Sequence, residues 1–232
     1  MAEITIPVEP LIPAASSHDR ILAAAKRLFA SQGYEATSTM AIARFAGTSE
    51  SQMMKHFGSK EGLLEAILDQ GWKSMSGELK GIESMPADAS KLMAMLGIVL
   101  QTLNGDPDLK ELYLLEGRRI RREGRHVVLS PGYIAFVRTV EDVLKQMAEA
   151  GILKPGVAPD AVRSAIMGMT EGMLRDQVLS RRRGELAAEY SDEDCKRLFA
   201  ACLQGVTVKP ISGPARSRKV KAKPRATAKR RR

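Results

Sequence analysis

Apolar residues along this chain recur three and four positions apart, the spacing that gathers them on one face of an α-helix, and no Val/Ile/Thr alternation of period two argues for a sheet. The first such stripe, Ile21, Leu22, Ala25, Leu28 and Phe29, predicts a helix from about His18 to Gln32, with Ser17 as its N-cap and Gly33 to end it. Two short helices follow, Thr39–Ala46 and Glu50–His56, and then a longer one, Lys60–Lys80, capped by Ser59. The next, Asp88–Leu103, is closed by Asn104-Gly105. Asp106-Pro107 and Ser130-Pro131 each set a capping residue before a proline at the first helical position, opening helices that run to about Arg122 and Gly151. Pro159 starts a helix to about Ser180, and Ser191 with Asp194 makes a capping-box pattern ahead of a last helix ending at Gly205. The expected fold is all-α, with about nine helices.

Charge changes the picture at the ends. Of the 36 Lys/Arg in 232 residues, 11 follow Val206, where there is no Asp or Glu, so the rest of the chain holds 25 basic against 27 acidic side chains. The net charge of +9 therefore belongs to a tail, 207–232, whose Pro, Ala, Lys and Arg are expected to be disordered alone. Cations spaced without aromatics suit sequence-independent phosphate contact and counterion release. Residues 1–17 carry three prolines and no basic residue, so they read as a flexible arm and not as a signal peptide. No apolar run approaches the roughly 18–20 residues needed to cross a membrane. Between arm and tail lie a small helical domain, 18–62, and a larger one, 63–206. Cys195 and Cys202 stand on one predicted helix about 10 Å apart along its axis, too far for a disulfide within it, and are expected to be reduced, packing thiols of a cytoplasmic protein.

Residues 18–62 read as a three-helix core. Ile42, Ala43 and Ala46 face the first stripe, and Gly47 stands where a tight turn between helices needs left-handed dihedrals. Ser49 caps the third helix, from which Met53 and Phe57 return to the core. That leaves Ser51, Gln52, Lys55 and part of Met54 facing outward on a short helix with a free N-terminal end, a shape that suits the DNA major groove. From His18 to Lys60 there are six Lys/Arg against three Asp/Glu, a modest bias of the right sign.

Gly33-Tyr34, Thr37-Ser38-Thr39-Met40-Ala41-Ile42-Ala43, Gly47-Thr48-Ser49 and His56-Phe57-Gly58-Ser59-Lys60-Glu61-Gly62-Leu63-Leu64, in this register behind the first stripe, resemble the DNA-binding domain of the tetracycline-repressor (TetR) family of bacterial regulators. The resemblance implies a sequence-specific, ligand-responsive repressor: an all-helical homodimer whose first three helices bind a palindromic operator, while the others form a ligand-binding and dimerisation domain. By position it puts DNA-facing groups at Ser38, Thr39, Ser49, Ser51, Gln52, Lys55, His56 and Lys60. Ser51 and Gln52 are assigned to bases, since glutamine pairs bidentately with adenine. Thr39, Lys55, His56 and Lys60 are assigned to phosphates or positioning. Met54 departs from the pattern, because the family usually has a tyrosine there whose hydroxyl holds a phosphate. A methionine offers only packing, on a thymine methyl or a sugar. Glu50 either complements the helix dipole or accepts from a cytosine amino group.

Beyond Lys60 no motif identifies a reaction, a metal site or a cofactor. His18, His56 and His126 are scattered, without metal-ligand spacing, and no enzyme is expected. Ser164, Ala165, Gly168 and Gly172 form a small-residue stripe that lets helices approach closely. With Leu198, Ala201 and Cys202 of the last helix it makes half of an intermolecular four-helix bundle, where the family places its dimer interface, or else packs within the chain. Trp72, Met75, Met93, Met95, Leu96, Tyr113, Met147, Met167, Met169 and Met173 are candidates for the wall of an apolar effector pocket or for plain core. Arg118, Arg119, Arg121, Arg122 and Arg125 form a basic cluster, either an acidic-ligand site or a solvated face. Two other readings compete with the repressor: a nucleoid-style DNA binder dominated by its tail, and a helical small-molecule binder with weakened DNA recognition.

Overall fold

A computed structural model of the chain describes residues 16–115, 129–183 and 190–208, with the backbone only at 181–183. Among these residues there are nine helices: α1 (Ser17–Gln32), α2 (Thr39–Phe45), α3 (Glu50–Phe57), α4 (Lys60–Lys80), α5 (Ala89–Gly105), α6 (Pro107–Tyr113), α7 (Pro131–Glu149), α8 (Pro159–Arg183) and α9 (Asp192–Val206). The arm up to Ala15, the arginine cluster, His126 and the tail from Lys209 lie outside the described residues.

Short polar side chains start these helices by accepting from amides that have no partner in the first turn. The Ser38, Ser49 and Ser59 hydroxyls accept from the Ala41, Gln52 and Gly62 N–H groups at 3.1, 3.2 and 2.9 Å. Asp106 and Ser130 do the same ahead of Pro107 and Pro131, and Ser191 and Asp194 form a complete capping box. Gly33, Gly47 and Gly58 close α1, the α2–α3 turn and α3 at φ +88°, +63° and +72°, where an L side chain is strained.

Three expectations need correction. The N-cap of α1 is Ser16, whose hydroxyl takes the Asp19 N–H at 3.1 Å, and Ser17 is already helical, its hydroxyl turned toward His56. The sixth helix ends at Tyr113, with Leu114 as its C-cap, and not near Arg122. The Leu115 N–H then closes a tight turn on the Leu112 carbonyl at 2.8 Å. Helix-favouring residues after it hid that stop from the sequence pattern. Thr207 and Val208, read as the start of the tail, belong to the folded body. Thr207 is buried, and Val208 N–H donates to the Ile152 carbonyl at 2.9 Å in an isolated antiparallel bridge.

Two apolar cores result. The smaller joins α1, α2 and α3 with Leu63, Leu64, Ile67 and Leu68 of α4 and, from α6, Leu112. The larger lies among α4–α9 and takes Trp72 and Met75 from the far half of α4. The boundary read between 62 and 63 thus falls inside one continuous helix serving both cores. Across the join Lys26 of α1 pairs with Asp106 at 2.6 Å.

Lys110 is 3 % exposed, yet carries its ammonium into the body. It donates to Asn104 Oδ1 at 2.8 Å and Gln177 Oε1 at 2.7 Å, while both amides also reach Asp192, so one cation ties α5, α6, α8 and α9. Lys110→Met keeps the volume but strips a donor from two acceptors, and an unmet buried acceptor costs about 1–3 kcal/mol. The expected result is about 2 kcal/mol less stability in urea unfolding, and no measurable loss would show that the amides re-pair.

Candidate nucleic-acid interface

The α2–α3 pair is held to α1 from beneath. Met53, fully buried, anchors α3, and Ile42 and Ala43 anchor α2. Thr37 is buried with its hydroxyl on the Gly33 carbonyl at 2.8 Å, fixing the approach to α2. With one face spent on packing, α3 turns Ser51, Met54, Lys55 and His56 to solvent, and Met54 is 42 % exposed. Gln52 is half-buried beside them. Phe57 is only half-buried and is covered by the His18 ring, stacked at 4.8 Å between centroids.

The remaining assigned groups divide by partner. Ser38 and Ser49 are exposed but engaged as helix caps. The Thr39 hydroxyl donates to the Glu50 carboxylate across the α2–α3 turn, which gives Glu50 a bond that its position at the start of α3 did not reveal. Lys60 stands over the Tyr34 ring at 4.4 Å and reaches the Glu35 carbonyl at 3.4 Å, so its cation is braced against the α1–α2 loop.

The sequence reading missed a histidine pair. His18 and His56, called scattered, are brought together by the packing of α1 on α3, with ring centroids 5.7 Å apart and nearly perpendicular. His56 Nε2 lies 3.1 Å from Ser17 Oγ and 3.2 Å from Gln52 Nε2. The i, i+4 spacing of Gln52 and His56 is a signal in the sequence. The approach of α1 is not. Met40 on α2, 58 % exposed, is a further apolar group on the surface that sequence reading passed over.

In the larger core a cavity of about 30 Å³ is lined by Met95, Leu96, Tyr113 and Met167, as expected, but also by Phe136, Val140, Ile166 and Phe199. Trp72 lines a separate cleft of about 380 Å³ between α4 and α7, which shares Met95 and Phe136 with the cavity. Met169 and Met173, with Leu96, border a void of about 10 Å³. Met75 and Met147 are buried core, and half-buried Met93 packs against that core. The missed wall residues come from α7, α8 and α9, because a cavity is a property of packed elements that no one helix displays.

Ser164, Ala165, Gly168, Leu198, Ala201 and Cys202 are exposed on α8 and α9, with Gly172 half-buried beside them. Cys202 Sγ touches Met169 Sδ at 3.7 Å, so the two helices present a continuous face. A Cβ on Gly168 or Gly172 would meet nothing within 4 Å among the described residues, so no contact with them accounts for glycine there. The two cysteines differ: Cys195 is buried, and that burial holds its thiol above the usual range, while Cys202 is on the surface. Among the described residues no group of three or more His, Cys, Asp or Glu is placed to hold a metal, and no helix is long and apolar enough to cross a membrane.

Residues 21–67 match the family model described as "Bacterial regulatory proteins, tetR family". The "Uncharacterized HTH-type transcriptional regulator YvkB" of Bacillus subtilis (strain 168) is 31% identical over 141 residues, covering 60% of this chain and 72% of that protein. Among solved structures, the transcriptional regulator FadR of Bacillus subtilis in complex with stearoyl-CoA matches with a TM-score of 0.64 at 20% identity, over 82% of this chain and 99% of that one. SmeT, repressor of the Stenotrophomonas maltophilia multidrug efflux pump SmeDEF, matches with a TM-score of 0.63 at 19% identity, over 87% of this chain and 97% of that one. At such identities the two structures speak for the fold.

Proposed function

The chain belongs to the tetR family of bacterial regulatory proteins, and on that footing we propose that it is a ligand-responsive repressor that binds a palindromic operator as a homodimer. It is a transcriptional regulator and not an enzyme. The observation that carries the reading is the outer face of α3: Ser51, Gln52 and Lys55 lie at the start and middle of a short helix whose inner face is locked by Met53. Groove-binding helices read base edges from such positions, while flanking hydroxyls and cations set the register on phosphates. Ser51 and Gln52 read bases; Lys55, Thr39, His56 and Lys60 position the chain on the backbone, with Met54 packing on a methyl or sugar.

The effector is an apolar molecule that enters by the cleft of about 380 Å³ beside Trp72 and Phe136 and must widen the adjoining cavity of about 30 Å³, walled by Leu96, Tyr113, Phe136 and Phe199, which as it stands has room for about one or two waters. Its supporting feature is α6. Tyr113 lines the cavity and the preceding Leu112 fills the core of the DNA-reading helices, so a ligand that shifts α6 acts on both. A ligand works here only through its differing affinity for the two states of the dimer. A similar fold carries stearoyl-CoA in FadR, which makes an acyl chain a fitting first candidate. The bare, glycine-marked face of α8 and α9 is the surface offered to the second copy, and the protein acts in the cytoplasm, where its DNA is.

A site selected from a randomised duplex pool, competed against random duplex at ~0.15 M salt, is expected to win by roughly a thousandfold. Gln52→Ala lowers that preference by about tenfold, whereas Lys55→Ala weakens both duplexes alike. Random duplex competing as well as the selected site would overturn the reading. A selected site without two symmetric halves would overturn the dimer.

A further inference from the structure

His56 presents a single ring nitrogen, Nε2, to two side chains at once: the Gln52 amide nitrogen at 3.2 Å and the Ser17 hydroxyl at 3.1 Å. We propose that His56 is a positioning residue for base reading, its Nε2 deciding which end of the Gln52 amide faces DNA, so that base preference at one position per half-site changes with pH. The inference rests on the assignment of Gln52 to a base.

A ring nitrogen carries either a lone pair or a hydrogen. With a lone pair, as in the neutral ring whose hydrogen is on Nδ1, Nε2 accepts from one N–H of the Gln52 amide, and the amide nitrogen at 3.2 Å selects that tautomer over the one with its hydrogen on Nε2. That leaves Oε1 and the second N–H turned outward, an acceptor beside a donor. This pair matches the N6 amino group and N7 of adenine. With a hydrogen on Nε2, as in the imidazolium, N–H would face N–H. The amide then rotates by half a turn, Oε1 accepts from His56, and the NH₂ group points outward. Two donors match O6 and N7 of guanine. Ser17 does not decide between these states, because a hydroxyl donates or accepts equally well. Histidine is the side chain that takes up its proton between about pH 5 and 8.

The packing keeps the choice between these two partners. Alpha helix α1 meets the ring through Ser17 and through His18, whose own ring lies edge-on to it at 5.7 Å and is stacked on Phe57. Asp19, the acid nearest on α1, is engaged by His18 Nδ1 at 3.1 Å, with Oδ2 held by Ser16. On α3 itself the neighbouring charge is Lys55, exposed, while Glu50 is bonded to Thr39. His18 is therefore the second titratable group that has to be separated from His56 by substitution.

The experiment selects sites from a randomised duplex pool with the full chain at about pH 8 and about pH 5.5, on either side of the histidine range. For the wild type, the ratio of adenine to guanine at one symmetric position is expected to fall by about tenfold on acidification. His56→Phe is expected to weaken binding through its lost backbone contact and, in the sites it still selects, to give the same base at both pH values. His18→Phe is expected to keep the shift. A wild type whose preference ignores pH, or a shift that survives in His56→Phe, overturns the inference and leaves the assignment of Gln52 standing. Gln52→Ala retaining the wild-type preference at that position overturns the assignment itself, and the inference with it.

Discussion

Truncating Leu112 to alanine is expected to remove about 3–4 kcal/mol of stability and to split one unfolding transition into two. Leu112 is 2 % exposed and is the α6 side chain in a core otherwise made by α1–α4. Its neighbours Leu109 and Tyr113 sit in the other core. Leu→Ala at a buried site loses the transfer energy of the side chain and leaves a cavity, and the surrounding helices are fixed at both ends and close poorly around it. Other ties across the join, among the described residues, are α4 itself, the packing of α6 on α1, half-buried Leu115 against the smaller core, and the Lys26–Asp106 pair. That pair is about one-third exposed, and so contributes roughly 1 kcal/mol or less. Thermal melting by circular dichroism, compared with operator binding at each temperature, checks this: DNA binding should be lost in the first transition. A single transition with a loss under about 1 kcal/mol would show that α6 is not what couples the two cores.

Gly62→Ala is expected to be the most damaging small substitution, about 3 kcal/mol with loss of specific DNA binding. Inside a helix this change ordinarily stabilises by about 0.5–1 kcal/mol, since glycine is the poorer helix former. Here the added Cβ lands 2.2 Å from the Phe57 carbonyl oxygen, a backbone atom at the end of α3 that has no rotamer to escape into. Either α4 lifts away from α3 or the α3 C-terminus moves, and both displace Lys55 and His56. Gly77→Ala and Gly97→Ala, also inside helices, meet nothing within 4 Å and are the matched controls. They should leave stability level or slightly raised. If Gly62→Ala behaves like these two, the α3–α4 junction is looser than its geometry states.

Much of the fold was legible because helix starts are local chemistry. Ser49, Ser59, Asp106, Ser130 and Ser191 could each be placed from a handful of neighbours, since an N-cap needs only an amide two or three residues on. The same locality misled at Ser16-Ser17, two adjacent hydroxyls of equal capping power. In the structure Ser16 takes the cap and Ser17 turns to the distant ring of His56. The end of α6 was hidden because Leu114, Leu115 and Glu116 after it are good helix formers, whereas the structure closes a turn from the Leu115 N–H to the Leu112 carbonyl.

The sequence by itself determined the all-α class, the order of the helices, the outward set Ser51, Gln52, Met54 and Lys55, and the inward set beneath it, because capping and the 3.6-residue period act over a few residues. Only the tertiary structure decided that α4 serves two cores, that five helices close a cavity with Phe136, Ile166 and Phe199 in its wall, and that Lys110 is buried as the tie of four helices. It also decided that His56, read as one more contact on the outer face of α3, stands between Gln52 and Ser17. These are meetings between residues tens of positions apart, settled by how whole helices pack.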